Sequence, residues 1–380
     1  MDIIMKDLLV LREEIDKIDK QIVDLYEKRM EISAGVAEYK INTGKKVFDK
    51  ERENQKLETL TGFASSEFTK NGIRELFEQI MAMSRKKQYQ LLTEHGIVES
   101  DYMNEVSEFD FSNARIVFQG VEGAYSQQAM NKFFGKDCDS YNVETWKDAM
   151  EAIKNGEADY AVLPIENSSA GIVSENYDLL VEYENYIIGE QIIRIDHCLL
   201  GLPGADISKI KKVYSHPQAL MQCSDYLDEH RDCEKISVKN TALSAKIIKD
   251  ENDITHAAIA SRITADIYGL SVLDDAIQNN KNNSTRFIIV SGKKEYESSA
   301  SKISICFEIP HESGSLYHML SHFIYNGINM VNIQSRPIKD RNWEYRFFID
   351  FEGNLKDNAV LNALRGLEEE TLSLKILGTY

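Results

Sequence analysis

Apolar residues fall at Leu8, Leu11, Ile15, Ile18, Ile22, Leu25, Ile32 and Val36. Counting position 29 between the last three, the steps alternate three and four, the seam of a heptad repeat. The spacing predicts one long helix ending near Thr43-Gly44, then shorter helices over "DKERENQKLETL" and "TKNGIRELFEQIMAMSRKKQYQLL". Residues 1–92 thus read as an all-helical domain. So long a first helix cannot bury its stripe against two short ones, and a self-paired dimer is expected. Residues 93–113 read as an acidic linker: from Glu94 on they carry six acids and no Lys or Arg.

Beyond it the pattern changes. Short apolar runs ("ARIVFQG", "ADYAVLPI", "KKVYS", "HAAIAS", "TRFIIVSG") alternate with polar turns and helical stretches over 114–293. Strand, turn and helix in repetition predict a two-lobed α/β domain with a cleft. Residues 300–380 read β-α-β-β-α-β, a ferredoxin-like order. The expected fold class is therefore multidomain: all-α, then α/β, then ferredoxin-like.

The seam residue at position 29 is Arg29, and Lys40 lies about three turns further along. An unpaired buried cation costs several kcal/mol, where a Leu would contribute about 2 kcal/mol of favourable burial. Either that helix end is exposed or an anion fills the seam. Arg12 and Arg29 are 17 residues apart, roughly 100° around the axis. One helix cannot aim both into one pocket; in an interlocked dimer Arg29 serves its own site and Arg12 the neighbour's. Asp49, Arg52 and Glu53 share a face of the second helix, and Ser84 and Gln88 form an i, i+4 pair on the third. Such a set suits a small dicarboxylate carrying a hydroxyl and an ether, since Arg forks take carboxylates in bidentate fashion.

In the α/β segment the polar groups sit on loops after strands, where ligands of such folds bind: Tyr125 and Ser126; Glu166, Asn167, Ser168 and Ser169; His216 and Gln218; Asn240 and Thr241. Several of these loops open helices, whose N-termini attract anions. "NNSTRF" adds the hydroxyl of Thr285 and the cation of Arg286. "GVEGA" is not a dinucleotide fingerprint.

The chain has 380 residues and a net charge of −18, which argues against nucleic acid and anionic membranes as partners. Residues 1–90 are neutral, with 17 Lys and Arg against 17 Asp and Glu. Cys138, Cys198, Cys223, Cys233 and Cys306 show no metal spacing and read as free thiols of a reducing cytosol. The N-terminal stretch does not read as a signal peptide and no apolar run reaches the ~20 residues of a membrane span, so a cytoplasmic protein is expected. His318 and His322 could share a metal but lack a third ligand; surface histidines are expected, with no metal and no cofactor.

"LLVLREEIDKID", "LYEKRMEI", "AEYK", "DKERE" and "LFEQIMAMSRKKQ" resemble the all-helical chorismate mutases over the whole first 90 residues. The resemblance implies that Arg29, Arg52 and a neighbour's Arg12 hold the carboxylates of chorismate. Lys40 and Gln88 would donate to its ether oxygen, Glu53 with the backbone at Asp49 would hold the ring hydroxyl, and Ser84 would assist at a carboxylate. "GVEGAYSQQA", "ADYAVLPIENSSAG", "DHCLLG", "YSHPQAL", "AAIAS" and "TRF" resemble the prephenate dehydratases. This implies Thr285 as the main proton donor. Arg286 and the 125–126 and 166–169 loops would bind the carboxylates of prephenate, with Thr241 also in the substrate site. "GSLYHML" and "QSRP" in the tail resemble the phenylalanine-binding motifs of ACT domains, with Ser315 for the usual Ala and Gln334 for the usual Glu. Gly314, Leu316, Asn329 and Arg336 would be the allosteric residues. Together these resemblances imply a bifunctional enzyme of phenylalanine biosynthesis, inhibited by phenylalanine, as a homodimer or homotetramer. A ligand-sensing DNA regulator is the alternative, disfavoured by the neutral helical segment.

Overall fold

The computed structural model describes residues 8–97, 102–230 and 233–380. Residues 1–7, with the start of the stretch weighed as a signal peptide, and 98–101 of the expected linker lie outside the described residues. The chain divides into two compact units, residues 1–102 with 307–374, and 103–306 with 375–380.

The first unit begins with the three expected helices, α1 (Leu8–Thr43), α2 (Lys50–Thr61) and α3 (Glu67–Glu94). Gly44 at φ +64° stops α1. Asp49 starts α2 by accepting the Arg52 backbone N–H at 3.0 Å, and Ser66 starts α3 by accepting that of Thr69 at 3.2 Å. Although α1 has 36 residues, only Ser33 and Ala37 are buried. The apolar positions of its seam stay between 39% and 68% exposed.

In the second unit β1 (Asn104–Val106) runs parallel to β13 (Glu295–Glu297). This corrects the expected linker: Met103 is buried, and Phe109 and Phe111 pack on the core beside Phe133, Phe134 and Tyr160. The aromatic burial outweighs the acidic composition around it. The first lobe is built from β2 (Arg115–Gln119), α4 (Tyr125–Phe134), β3 (Asp139–Val143), α5 (Trp146–Lys154), β4 (Tyr160–Asn167), β5 (Gly171–Ile172), α6 (Ser174–Glu182) and β6 (Tyr186–Arg194). The chain then crosses to a second lobe. Its elements are β7 (Cys198–Gly201), β8 (Lys212–Ser215), α7 (Pro217–Gln222), α8 (Ser224–Glu229), β9 (Glu234–Ser237), α9 (Thr241–Glu251), β10 (His256–Ala260), α10 (Arg262–Tyr268) and β11 (Ser271–Asp274). It returns through β12 (Ser284–Ser291), which sits between β6 and β4 in the order β6-β12-β4-β2-β3. The second lobe's sheet runs β11-β7-β10-β8-β9. Each lobe has its own apolar core, Ile116, Phe118, Val162 and Ile289 in one, Leu200, Ala258 and Ala260 in the other.

The tail follows the expected order: β14 (Lys302–Glu308), α11 (Ser315–Tyr325), β15 (Met330–Pro337), β16 (Tyr345–Glu352), α12 (Asn358–Glu370) and β17 (Ser373–Thr379). β15 and β16 pair antiparallel, Ile333 facing Ile349. Within the first unit, α12 lies on α3: buried Arg365 donates to the carbonyl of Tyr89, to Thr93 Oγ1 and to the carbonyl of Ile97.

Candidate active sites

In the helical segment, α1 and α3 set Arg29 against Ser84, with Gln88 one turn on, and Lys40 feels the same Glu53 charge as Arg29. Half-buried Arg29 donates from Nη1 to Ser84 Oγ and, at 3.3 Å, to the carbonyl of Ile80. Burial lowers the Arg29 guanidinium from its ordinary value, against the pull of Glu53. Lys40 Nζ donates to the Val47 carbonyl at 2.8 Å. Burial lowers its pKa too, opposed by Glu369, Asp49 and Glu53. Gln88 is buried, its Nε2 bonded to the Ser84 carbonyl at 3.2 Å and its Oε1 without a protein partner. Guanidinium and ammonium each carry more N–H groups than these bonds use, so Arg29 and Lys40 keep protons to offer an oxyanion.

The remaining helical candidates are placed differently. Arg12 is exposed on α1, about 25 Å along the axis from Arg29 at 1.5 Å per residue. The chain itself does not bring it to the pocket. Arg52 is exposed, and the Asp49 carboxylate is used as a cap. Glu53 is already engaged: Arg85 Nη1 donates to its two oxygens at 2.7 and 2.5 Å. Arg85, buried within "SRKKQ", is a residue the spacing argument passed over.

The cleft between the two lobes of the second unit is a cavity of about 360 Å³. Tyr125, Ser126, Asn167, His216, Gln218, Asn240, Thr241 and Thr285 all line it. The loop "GVEGA" shapes one wall. Gly120 and Gly123 adopt φ of +119° and +89°, and a Cβ on Gly123 would meet Thr264 Oγ1 at 3.1 Å. No side chain caps α4, whose first turn faces the cavity, while Asn240 caps α9 through the Leu243 N–H at 2.7 Å. Both N-termini favour negative charge.

Thr285 is 9% exposed. Its Oγ1 accepts from Asn167 Nδ2 at 2.9 Å. The same amide donates to Asn283 Oδ1 at 2.8 Å and the Ser284 carbonyl at 3.3 Å, while Asn167 Oδ1 accepts the N–H groups of Ser169 and Ala170. Asn167 is therefore fixed, and Thr285 is left with its O–H proton to donate. His216 Nδ1 accepts the Gln218 N–H at 3.2 Å. Its proton is then on Nε2, and burial lowers its pKa, favouring the neutral ring.

Four expected substrate residues are corrected. Arg286 follows Thr285 in β12, so pleat alternation turns it to the other face of the sheet, where it pairs with Glu166 at 3.5 Å and Glu190 at 3.4 Å. Glu166, opposite Arg286 in the ladder, shares that face. Ser168 and Ser169 are exposed turn residues: Ser168 Oγ accepts the Ser284 N–H at 3.0 Å and Ser169 Oγ accepts from Asn280 Nδ2 at 3.0 Å. Missed were His197, Trp146, Gln222 and Lys239, which also line the cavity. His197, visible in "DHCLLG", is 2% exposed; its Nε2 lies 3.1 Å from Gln222 Oε1 and its Nδ1 3.4 Å from the Tyr125 hydroxyl.

In the tail, Gly314 and Leu316 line a cavity of about 200 Å³ with Pro310, Tyr345 and Phe347. Asn329 and Arg336 do not line it. Asn329 is exposed just before β15, donating to Glu352 at 3.0 Å, and Arg336 stands opposite Arg346. His322, expected on the surface, is 2% exposed with its Nε2 3.3 Å from Glu370. The helix turns it onto α12 rather than outward.

Half-buried cations on a helical segment and a two-lobed cleft around a buried hydroxyl, carried on one chain, are the features of a two-site enzyme acting on small anions. Residues 11–89 match the family model of chorismate mutase type II, and residues 116–295 that of prephenate dehydratase. The bifunctional chorismate mutase/prephenate dehydratase of Buchnera aphidicola subsp. Schizaphis graminum is 35% identical over 98% of this chain and 96% of its own length. That of Escherichia coli K12 is 31% identical, with the same coverage of 98% and 96%. A solved prephenate dehydratase from Arthrobacter aurescens, in complex with L-Phe, is 32% identical, covers 70% of this chain and 89% of its own, and superposes with a TM-score of 0.65. The chain belongs to the bifunctional chorismate mutase/prephenate dehydratase family.

Proposed function

We propose that this chain converts chorismate to prephenate at the helical site, and prephenate to phenylpyruvate in the two-lobed cleft. The observation that carries the reading is the pair of half-buried cations, Arg29 and Lys40, beside buried Gln88, on the chain that also sets Thr285 against Asn167.

The first reaction is a one-step pericyclic rearrangement and needs no nucleophile. Orientation of the reacting conformer supplies roughly 7 kcal/mol or more. Arg29 and Arg52, with Arg12 of a second copy, hold the carboxylates, Ser84 assisting. Lys40 and Gln88 donate to the ether oxygen as negative charge builds there. Glu53 and the backbone at Asp49 hold the ring hydroxyl.

In the second reaction the ring carboxylate leaves as carbon dioxide. Its electron pair aromatises the ring and expels the hydroxyl, which takes a proton and departs as water. Thr285 donates that proton, held by Asn167. The N-termini of α4 and α9, with Lys239 and the Nε2–H of neutral His216, hold the carboxylates in the cleft.

The proposed domains are 1–92 for the mutase, 93–113 as a connection, 114–293 for the dehydratase and 300–380 for a ferredoxin-like ACT regulatory domain. The tail's strand order β15-β16-β14-β17 supports the last assignment. It binds phenylalanine near Gly314 and Leu316, with Asn329 and Arg336 contributing in the assembled dimer or tetramer, and so restrains phenylpyruvate formation. The exposed seam of α1 supports self-association. No helix among the described residues is long and apolar enough to cross a membrane, in keeping with the proposed cytoplasmic location. The test is to supply purified protein with chorismate alone and follow products by NMR, with and without phenylalanine. Phenylpyruvate that forms and slows with phenylalanine supports the reading; untouched chorismate and untouched added prephenate would overturn it.

A further inference from the structure

Three consecutive acids close α12, and two of them reach the helical site. Glu369 accepts the backbone N–H of Phe48 at 2.6 Å, that of Val47 at 3.4 Å, and the Tyr89 hydroxyl at 3.0 Å. Val47 is the residue whose carbonyl receives Lys40. Glu370 takes Arg85 along one edge of the guanidinium, Nε at 2.8 Å and Nη2 at 3.1 Å. That bidentate grip fixes the plane of the fork and leaves Nη1 aimed at Glu53. Both Arg85 and Glu370 are buried. Burial opposes ionisation of Glu370, yet His322 and Arg85 outweigh it and bring its carboxyl down to about 2. The same two acids hold the Arg85 cation against its burial. Glu370 and Arg85 are therefore both ionised throughout the neutral range.

We propose that Glu370, a residue of the C-terminal segment, is a positioning residue for chorismate binding: through Arg85 it sets where the Glu53 carboxylate stands to receive the ring hydroxyl. Part of the polar framework of the helical site is then contributed some 280 positions downstream. Without Glu370 the buried guanidinium keeps one anion only, and turns a two-nitrogen edge onto Glu53, drawing it from the ring hydroxyl. That contact is made to substrate and transition state alike, so its loss raises KM more than it lowers kcat.

This rests on the mutase reading, and the experiment separates the two. Wild-type full chain that leaves chorismate unchanged would remove the mutase reading itself. With wild type active, Glu370→Gln in the full chain should raise KM for chorismate about tenfold, the scale of one charge-assisted hydrogen bond, while turnover of supplied prephenate keeps its wild-type rate. A merely structural role would instead lower the fraction of active enzyme, cutting kcat with KM unchanged; that result overturns the proposal. In an Arg85→Met background, Glu370→Gln should leave KM where Arg85→Met alone puts it, because the relay is already cut. A full further rise there would show that Glu370 acts by another route, and would also overturn it.

Discussion

Thr285→Val removes one oxygen and nearly nothing else. Thr285 is 9% exposed and the two side chains are of similar volume, so no cavity forms. The lost contact is the 2.9 Å bond from Asn167 Nδ2. That amide keeps Asn283 Oδ1 at 2.8 Å and the Ser284 carbonyl at 3.3 Å, so it is not left unsatisfied. The stability cost is therefore about 1 kcal/mol, the net worth of one hydrogen bond. Loss of a positioned general acid is worth about 10²–10⁴ in rate, or roughly 3–5 kcal/mol of barrier at ~1.4 kcal/mol per decade. The two magnitudes are far enough apart to distinguish. Given chorismate, the variant should let prephenate accumulate, with phenylpyruvate slowed at least a hundredfold and the denaturant midpoint little moved. Thr285→Ser, which keeps the hydroxyl, should retain most of the rate. Phenylpyruvate released by the valine variant at the wild-type rate would refute the proton-donor role. Equal losses in the serine and valine variants would do so as well.

Lys40→Ala removes the cation proposed to face the breaking ether, and should cost about 10²–10³ in mutase kcat while supplied prephenate is still consumed; parallel loss of both activities would point to misfolding. Ile18→Asp alters a residue already 55% exposed in the single chain, so the monomer should fold. If α1 pairs with a second copy, sedimentation should show a smaller particle and mutase activity should fall with it, because Arg12 no longer reaches its neighbour's site. Burial lowers the pKa of His197. The unfolded ring protonates near pH 6.5, so stability is unaffected above that pH and falls as pH drops from about 6.5 toward the lowered folded value. His197→Gln should make the melting temperature fall less steeply across that window; an unchanged slope counts against it. Gly314 holds φ +81° at the start of α11, a conformation that costs a side-chain-bearing residue about 1–2 kcal/mol. Gly314→Val should raise the phenylalanine concentration needed to slow phenylpyruvate formation, and an unaltered dose response would remove the effector from that cavity.

The helices, the strands and several site residues were legible for local reasons. A period of three and four residues fixes which side of α1 is apolar, whatever it packs on, so Arg29 and Lys40 stand out as intrusions. Gly44 and Asp49 mark helix ends through conformations and caps that involve only near neighbours. Thr285 and Asn167 were visible as strand-end residues, and the ladder that pairs them was not needed to suspect them. Arg286 was misread because "TRF" gives no sign of which side of a strand faces a cleft. The answer depends on which neighbouring strands bury which face. Ser168 and Ser169 look like ligand-binding hydroxyls in sequence, yet the fold uses those same atoms for the backbone of Ser284 and for Asn280.

What the chain order alone determined, then, is the set of elements, their polarity and the residue types available to two anion sites. Those follow from periodicity and from the cost of placing a charge on an apolar face, which are properties of adjacent residues. What only the tertiary structure decided is which charges satisfy one another. Arg85 reads as one more cation in "SRKKQ", and Glu369 and Glu370 as the acidic end of a distant helix. Packing α12 on α3 takes these groups out of water, and a buried charge must find its counter-charge wherever the fold supplies one. That requirement joins Glu53 to Glu370 across the length of the chain, and no local pattern in either segment records it.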